Sequence, residues 1–409
     1  MQRTMNTLSR REWIGAIALA SQARTLFAAS GIDAAIQNSM TRRKIPTVVA
    51  MVANADKIIW SGAFGKRDAA SGIDVKPDSI FSIASMTKAI TSTAAMQLVE
   101  QGKVGLHEPA GKYLPELAKL DVLDGFDSAG KPILHPATKP VTLHHLMTHT
   151  SGFAYDVWDE RMLKYNATHG GPSAGVVAPL TPLIFEPGTR WQYGTGLDWT
   201  GKLVEKVSGL SLEDYMQRNI LQPLGMNDTT FVFPAAKFDR LVGSYRRQKD
   251  GVLKADPRNM PVPPKQYNGG GGLFSTAPDY VAFMQMILHQ GKGPHGQILL
   301  PKTVAMMTTN QIGDISAGKL KTARPEISSD VDFHPGVKDG YTYGFLINTT
   351  AYQGGRSAGS LAWAGVENTY YWIDPKKSLC GVVMMQFFPF ADSQAVGLLG
   401  DFERAVYAS

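Results

Sequence analysis

Segments with strand character lie near both ends of this chain, and the stretch between them reads as helix and loop. The first segment is Pro46 to Phe64, PTVVAMVANADKIIWSGAF, with two β-rich runs around Asn54-Ala55-Asp56, a hairpin signal. The last third carries further runs at Gly359–Ala364, Thr369–Ile373 and Leu379–Gln386, with a turn at Asp374-Pro375. From about Leu106 to Gly243 short helices are expected at Thr142–Thr148, Asp198–Ser208 and Leu212–Ile220, between loops rich in Pro and Gly, with no strong strand alternation. Ala277–Gln290 reads as a helix with Val281, Met284 and Ile287 on one side, and a last helix runs from about Asp392 to Tyr407. Strands contributed from both ends predict one antiparallel sheet, covered by helices, with a mainly helical lobe inserted. The expected class is therefore α/β (α+β), with a sheet domain of 31–105 and 245–409, a helical domain of 106–244, and a cleft between them.

The chain is 409 residues long, enough for one large domain or two medium ones. Its net charge of +6 comes from scattered residues with no run of five, which is surface basicity and not a nucleic-acid footprint. With one cysteine there is no internal disulfide, and Cys380, in the apolar run LCGVVMM, is expected to be a buried structural thiol. No apolar stretch has the length of a membrane span. The N-terminus, LSRREWIGAIALASQA, has two readings. Arg10-Arg11 before a short apolar segment is a twin-arginine-like export signal over residues 1–30. Arg24 interrupts that segment early, which favours an ordinary leader on a cytoplasmic protein.

In FSIASMTKAITSTAAMQLVEQG, Phe81 to Gly102, Ser85 and Lys88 stand three apart at the start of an expected helix. Ile90, Ala94, Ala95, Leu98 and Val99 mark its buried face, and Gly102 stops it. Residues three apart share a helix face, so Lys88 can reach back to the Ser85 hydroxyl. A serine needs a base to become a nucleophile. A lysine serves only if it loses a proton far below its ordinary pKa of about 10.4, which burial and the positive end of a helix promote. S-x-x-K alone is also an N-cap serine and a surface lysine. Partners are therefore needed. Tyr193, on the loop edge of WQYGTG, can offer a phenol to shuttle the serine proton; otherwise it is a packed loop aromatic. The strand ending Trp363-Ala364-Gly365 can lay the N–H of Val366 beside that of Ser85 as a two-donor oxyanion hole; otherwise it is an edge strand with a glycine bulge.

Together these segments resemble the serine β-lactamase and penicillin-binding-protein superfamily, class C-like, and within it the family VIII carboxylesterases and the related fungal statin-side-chain acyltransferases. The similar stretches are SIASMTKAITSTAAMQLVEQGKVGL, LHHLMTHTSGF, PGTRWQYGTGLDWTGKLVEKVSG, LQPLGMNDTTF, NGGGGLFSTAPDYVAFMQMIL and WAGVENTYYWIDP, spread from about Ile45 to the C-terminus. The resemblance implies a β-lactamase-like fold, Ser85 as the acylated nucleophile, Lys88 and Tyr193 as the proton-relay pair, and no metal or cofactor. It implies that Phe153, Tyr155 and Trp158, in the loop after HTSG, and Trp363 with Gly365, line the substrate pocket. Tyr193-Gly194-Thr195 replaces the Tyr-x-Asn of class C β-lactamases, and Trp363-Ala364-Gly365 replaces their Lys-Thr-Gly. The lost lysine would meet a β-lactam carboxylate, so the expected substrate is a small, neutral acyl ester, with weak β-lactam hydrolysis at most. The expectation is a serine carboxylesterase; its rivals are an acyltransferase, a β-lactamase or D-alanyl peptidase, and a receptor that acylates without turnover.

Three other motifs compete. Gly355-Arg356-Ser357-Ala358-Gly359 spells G-x-S-x-G, but a strand follows where a helix is needed, and no histidine occurs after His334. His145 and His149 are four apart, but LMTHTSG is a helix end running into a turn, so His149 is expected to satisfy backbone groups behind the cleft. Asn268–Gly272, NGGGG, lacks the G-K-[ST] of a phosphate loop and is read as a close backbone approach near the cleft.

Overall fold

The computed structural model describes residues 31–169, 177 and 180–409. Residues Arg10 and Arg11, which carry the export reading, lie outside this set. The hairpin at the N-terminal side forms as expected: β1 (Thr47–Asn54) pairs antiparallel with β2 (Ile58–Gly65). Asn54 closes its turn by accepting from the N–H groups of Asp56 and Lys57 at 2.9 Å each. The C-terminal side supplies two short strands, β3 (Gly340–Tyr341) and β4 (Leu346–Ile347), then β5 (Leu361–Gly365), β6 (Thr369–Asp374) and β7 (Leu379–Met384). They join in one seven-stranded antiparallel sheet of order β3-β4-β5-β6-β7-β1-β2. The two ends of the chain meet where Val49 of β1 faces Met384 of β7.

β1 is buried along nearly its whole length, as are β6 and β7. Helices on both faces explain the unbroken apolar run TVVAMVA, since neither face of the strand meets water. One face carries α1 (residues 31–43) and the C-terminal helix, here numbered after the others as α6 (Ser393–Ala408). Phe402 of α6 packs on Trp60 and Trp372, with ring centres 5.7 and 5.4 Å away. The other face carries α2 (Thr87–Glu100) and α5 (Ala277–Leu288), where Tyr280 sits 4.8 Å from Tyr371. Helix α1 is one element the sequence reading passed over.

The one-sided face expected for α2 is incomplete. The helix is buried on every side, polar residues included: Lys88, Thr91, Ser92, Thr93 and Gln97 join Ile90 and Leu98. A central helix is buried all round, so its polar groups depend on partners inside, which most of them find while Ser92 Oγ does not among the described residues. Thr91 donates to the Gly269 carbonyl at 2.7 Å, and Gln97 to those of Asn219 and Ile298 at 3.0 and 2.9 Å. Truncating an aliphatic side chain as enclosed as Ile90 costs about 2–5 kcal/mol.

The middle of the chain holds α3 (Leu143–Met147), a helix at Glu160–His169, α4 (Gly196–Ser208), and Leu212–Met216 continuing into a π-type turn at Gln217–Leu221. It also holds an antiparallel hairpin, Asp121–Phe126 with Pro132–Pro136, where no strand was expected. Its second strand is mostly exposed, so no buried face imprints an alternation on the sequence.

Candidate active site

Ser85 sits where a short strand runs into α2. Phe81–Ser82 pairs with Phe274–Ser275, and Ile83 donates to the Leu273 carbonyl at 3.0 Å. Ala84 then takes a φ of 42°, a left-handed conformation that is uncommon for a residue with a side chain and clusters at functional sites. Ser85 belongs to the 3-10 turn Ala84–Met86 and not to the first turn of the α-helix; Lys88 is the second residue of α2. The spacing still works: Lys88 Nζ donates to Ser85 Oγ at 3.1 Å.

Lys88 has no exposed surface. Three oxygens lie within hydrogen-bond reach of its Nζ: Ser85 Oγ, the Gly270 carbonyl, and the Tyr155 hydroxyl at 3.2 Å. Tyr155 in turn donates to Asp198 Oδ2 at 2.8 Å. The NGGGG run makes the approach that the sequence reading expected. A Cβ on Gly270 would lie 2.2 Å from Asp198 Oδ2 and 2.8 Å from the Tyr155 oxygen, and one on Gly271 would touch the backbone of Ala84 and Ser85. The loop is glycine because side chains would occupy the space of the polar cluster. Burial raises the Asp198 carboxyl above the ordinary range against the opposing pull of Lys88, and burial followed by Asp198 pushes the Tyr155 phenol well up.

Tyr193 is brought to the same cluster by a different contact from the one expected. Its ring lies under Lys88 Nζ, 4.8 Å from the ring centre, and its oxygen accepts from Trp363 Nε1 at 3.2 Å. The hydroxyl on Lys88 is that of Tyr155, which the sequence reading placed on the pocket wall. Trp158 stands 5.2 Å from the Tyr193 ring and donates to Ser328 at 3.0 Å. Phe153, expected on the pocket wall, is 1% exposed and stacked on Trp199. His149 is held as expected, its Nδ1 accepting from the Gly194 N–H at 3.4 Å and its carbonyl from Gln192 at 3.0 Å. Burial, then the Lys88 charge, keeps its imidazole neutral, with a pKa well below the usual range.

β5 meets the Ser85 turn edge-on. β4 pairs with only Leu361 and Ala362, so among the described residues the Trp363–Gly365 half has no ladder partner on that side. At Gly365 a Cβ would lie 2.5 Å from the Ile83 carbonyl and 2.3 Å from Thr369 Oγ1. Val366 opens a three-residue turn that ends at Asn368, with φ 65°. Side chains clamp this turn: Asn368 donates to the carbonyls of Phe387 and Pro389 at 2.7 and 2.8 Å, and Glu367 accepts from Ser244 at 2.7 Å.

The competing motifs lie elsewhere. Ser357 is in a loop tied to α6 through its neighbour Arg356, and its N–H donates to Asp374 at 2.9 Å. Among the described residues no group of three His, Cys, Asp or Glu could hold a metal; His145 instead closes the N-terminus of α3, accepting from Thr142 N–H at 3.3 Å. Cys380 is fully buried, which pushes its thiol up to about 12. No helix among the described residues is long and apolar enough to cross a membrane.

Tyr155 as a partner of Lys88 and Asp198 as a partner of Tyr155 were missed. Asp198 opens α4, and an acid there reads as an ordinary helix-start residue. Its flanking Leu197 and Trp199, both buried, are the signal that it points inward.

The sheet, the strand-to-helix serine and the buried lysine define a β-lactamase-like serine enzyme fold. The chain belongs to the Beta-lactamase family, whose model matches residues 32–403. It is 32% identical over 396 residues to monacolin J acid methylbutanoyltransferase of Aspergillus terreus, covering 92% of this chain and 95% of the relative. It is also 32% identical to lovastatin esterase of Penicillium rubens, over 87% of this chain and 92% of that one. A mutant simvastatin synthase from Aspergillus terreus superposes with a TM-score of 0.78 at 30% identity, covering 92% and 96% of the two chains. The hydrolase EstCE1, at 21% identity and a TM-score of 0.72, shares the fold. The family and these relatives place the chain among enzymes of ester hydrolysis and acyl transfer.

Proposed function

We propose that this protein is a carboxylesterase of family VIII type that works through an acyl-Ser85 intermediate on neutral, short-chain esters. The observation that carries the reading is the 3.1 Å contact between Ser85 Oγ and the enclosed amine of Lys88. Lys88 takes the serine proton as Oγ attacks the ester carbonyl. The N–H groups of Ser85 and Val366 hold the oxyanion. Tyr193 accepts a hydrogen bond from Trp363, which leaves its own O–H to give to the departing alcohol. Water then attacks the acyl-enzyme. The cleft between a sheet lobe of 31–105 and 245–409 and a helical lobe of 106–244 receives the substrate. A cavity of about 310 Å³ bordered by Phe231, Val262, Asn268 and Gly271 lies on the far side of the glycine backbone that packs on the Ser85 turn.

A second reading, transfer of the acyl group to an alcohol instead of water, is favoured by the relatives named as methylbutanoyltransferases. Product analysis separates the two. The protein is given a p-nitrophenyl ester with and without a sterol-sized or polyketide alcohol, and a chromogenic cephalosporin alongside. Free acid as the main product supports the esterase; new ester at the expense of acid supports the transferase. Fast cephalosporin cleavage would overturn the reading of Trp363 as a replacement for the carboxylate-binding lysine. A stable acyl-Ser85 adduct without product would make the protein a receptor.

Gly365→Ala tests the oxyanion assignment. The new methyl must displace the Ile83 carbonyl or the β5 end. Loss of one donor's alignment is expected to lower kcat by about 10²–10³ with KM little changed. An unchanged kcat in a folded variant would remove Val366 from the oxyanion hole.

A further inference from the structure

Lys88 must lose a proton before it can act as the base for Ser85. Three oxygens surround Lys88 Nζ, those of Ser85, Tyr155 and Gly270, and a lysine that carries its full three hydrogens has no lone pair to take the serine proton. One further buried acid stands nearby. Asp198 is 3% exposed and is reached from Lys88 only through the Tyr155 hydroxyl, across contacts of 3.2 and 2.8 Å.

We propose that Tyr155 and Asp198 form a proton relay behind Lys88, in which Asp198 stores the lysine proton while Lys88 acts as base. Tyr155 passes its phenolic hydrogen to Asp198 Oδ2 and takes one from Lys88 Nζ. Two hydrogens shift for a net transfer of one proton, and the ammonium–carboxylate pair becomes an amine and a carboxylic acid. Two separated buried charges are thereby replaced by two neutral groups, which a site closed to water favours. The Ser85 O–H then delivers its proton to Lys88 as Oγ bonds to the acyl carbon, and the carbonyl electron pair moves to oxygen. Tyr193 gives its phenolic proton to the leaving alkoxide, and the re-formed ammonium restores the proton to Tyr193, so the protons balance. Neither Tyr155 nor Asp198 touches the reacting carbonyl; both act through Lys88. The burial that raises the Asp198 carboxyl works in the same direction.

The polar groups facing this chain come from every neighbouring element. Ser85 comes from the turn before α2, His149 and Tyr155 from the loop after α3, and Tyr193 and Asp198 from the entry to α4. Tyr341 comes from β3, and Asn268, beside Asp198, from the glycine loop. Among these described groups Asp198 is the sole carboxylate. His149, held neutral by its burial and then by the Lys88 charge, is no rival store for the proton.

The relay rests on the reading of Ser85 as nucleophile and predicts a change in pH dependence. In the native enzyme the amine–acid pair holds the same number of protons as the ammonium–carboxylate pair. The reactive fraction is then independent of pH, and kcat/KM is level from about pH 6 to 8. Asp198→Asn keeps an acceptor for Tyr155 but cannot store a proton, so solvent must remove it. The variant is expected to lose about 10²–10³ in kcat/KM at pH 7 and to regain it about tenfold per pH unit on the alkaline side. Tyr155→Phe breaks the same chain by another route, and the double variant is expected to be no slower than the slower single one. If Asp198→Asn fails to fold, Tyr155→Phe carries the same pH test. A lower rate with the native pH profile would mean that the two residues are only structural, and multiplicative losses in the double variant would also overturn the relay. Labelling of the native protein with a fluorophosphonate, mapped by mass spectrometry, separates the two levels. Ser85 labelled with an unchanged variant profile defeats the relay alone; no label on Ser85 defeats the reading beneath it.

Discussion

Ser85→Ala is expected to reduce turnover of an activated short-chain ester by at least about 10³-fold while leaving the protein folded. The alanine removes the atom that would bond to the acyl carbon, so no acyl-enzyme forms, and what remains is binding and oxyanion stabilisation of direct attack by water. The structural cost is small, because Lys88 keeps the Gly270 carbonyl and the Tyr155 hydroxyl as acceptors. Steady-state hydrolysis by purified wild type, Ser85→Ala and Ser357→Ala checks this, with thermal unfolding as a folding control. Ser357 is part of the loop behind the sheet, and its alanine variant is expected to hydrolyse at a near-native rate. A dead Ser357→Ala beside an active Ser85→Ala would move the chemistry to the wrong side of the sheet and end the assignment.

The largest effect on stability is expected at a place with no part in the chemistry. Arg356 and Glu403 form a buried, bidentate pair, with bonds of 3.0 and 2.7 Å and side chains each 7% exposed. The Arg356 N–H adds a third bond to the same carboxylate at 3.0 Å, and the guanidinium lies over Tyr352 and Trp372. The pair ties α6 to the loop that leads into β5. Glu403→Gln leaves a buried guanidinium without its charge partner, at an expected loss of about 3–5 kcal/mol in denaturant unfolding. Replacing both partners with apolar residues of similar size is expected to recover most of that loss. The pH dependence has a definite sign. Burial raises the Glu403 carboxyl, but Arg356 outweighs it and holds the group below its ordinary value of 4.5. The stabilisation is therefore complete above that ordinary, unfolded-state value and disappears as pH falls through the lower folded value. Between about pH 5 and 3 the wild type should lose more stability than Glu403→Gln, which has no carboxylate to protonate there. Equal acid sensitivity of the two proteins would show that Glu403 adds nothing to acid unfolding.

Local rules carried the sequence reading a long way where burial is one-sided or total. The runs at β1, β6 and β7 are apolar throughout because helices cover both sheet faces, and the hairpin at Asn54-Ala55-Asp56 is written in its turn residues. The same holds for the glycines of NGGGG, whose missing side chains announce a close approach. Where an element is short or exposed, as at Pro132–Pro136, no pattern is imprinted and none could be read. The spacing of Ser85 and Lys88 likewise lies within one turn of chain, so local geometry alone brings an amine to a hydroxyl.

Which groups complete that pair is a matter of tertiary structure. Tyr155 and Asp198 are separated from Lys88 and from each other by long stretches of chain, and only the packing of the loop after α3 against the start of α4 aligns them. The sequence favoured Tyr193 as the tyrosine bonded to the lysine because its setting matched a known motif. The fold instead placed its ring beneath Lys88 and gave its oxygen to Trp363. The sequence by itself determined the strands at both ends, the serine–lysine spacing and the class of chemistry they allow. The tertiary structure decided which hydroxyl meets the lysine and which buried acid lies behind it. Hydrogen bonds between distant segments depend on how the core closes, and no local pattern of residues encodes that closure.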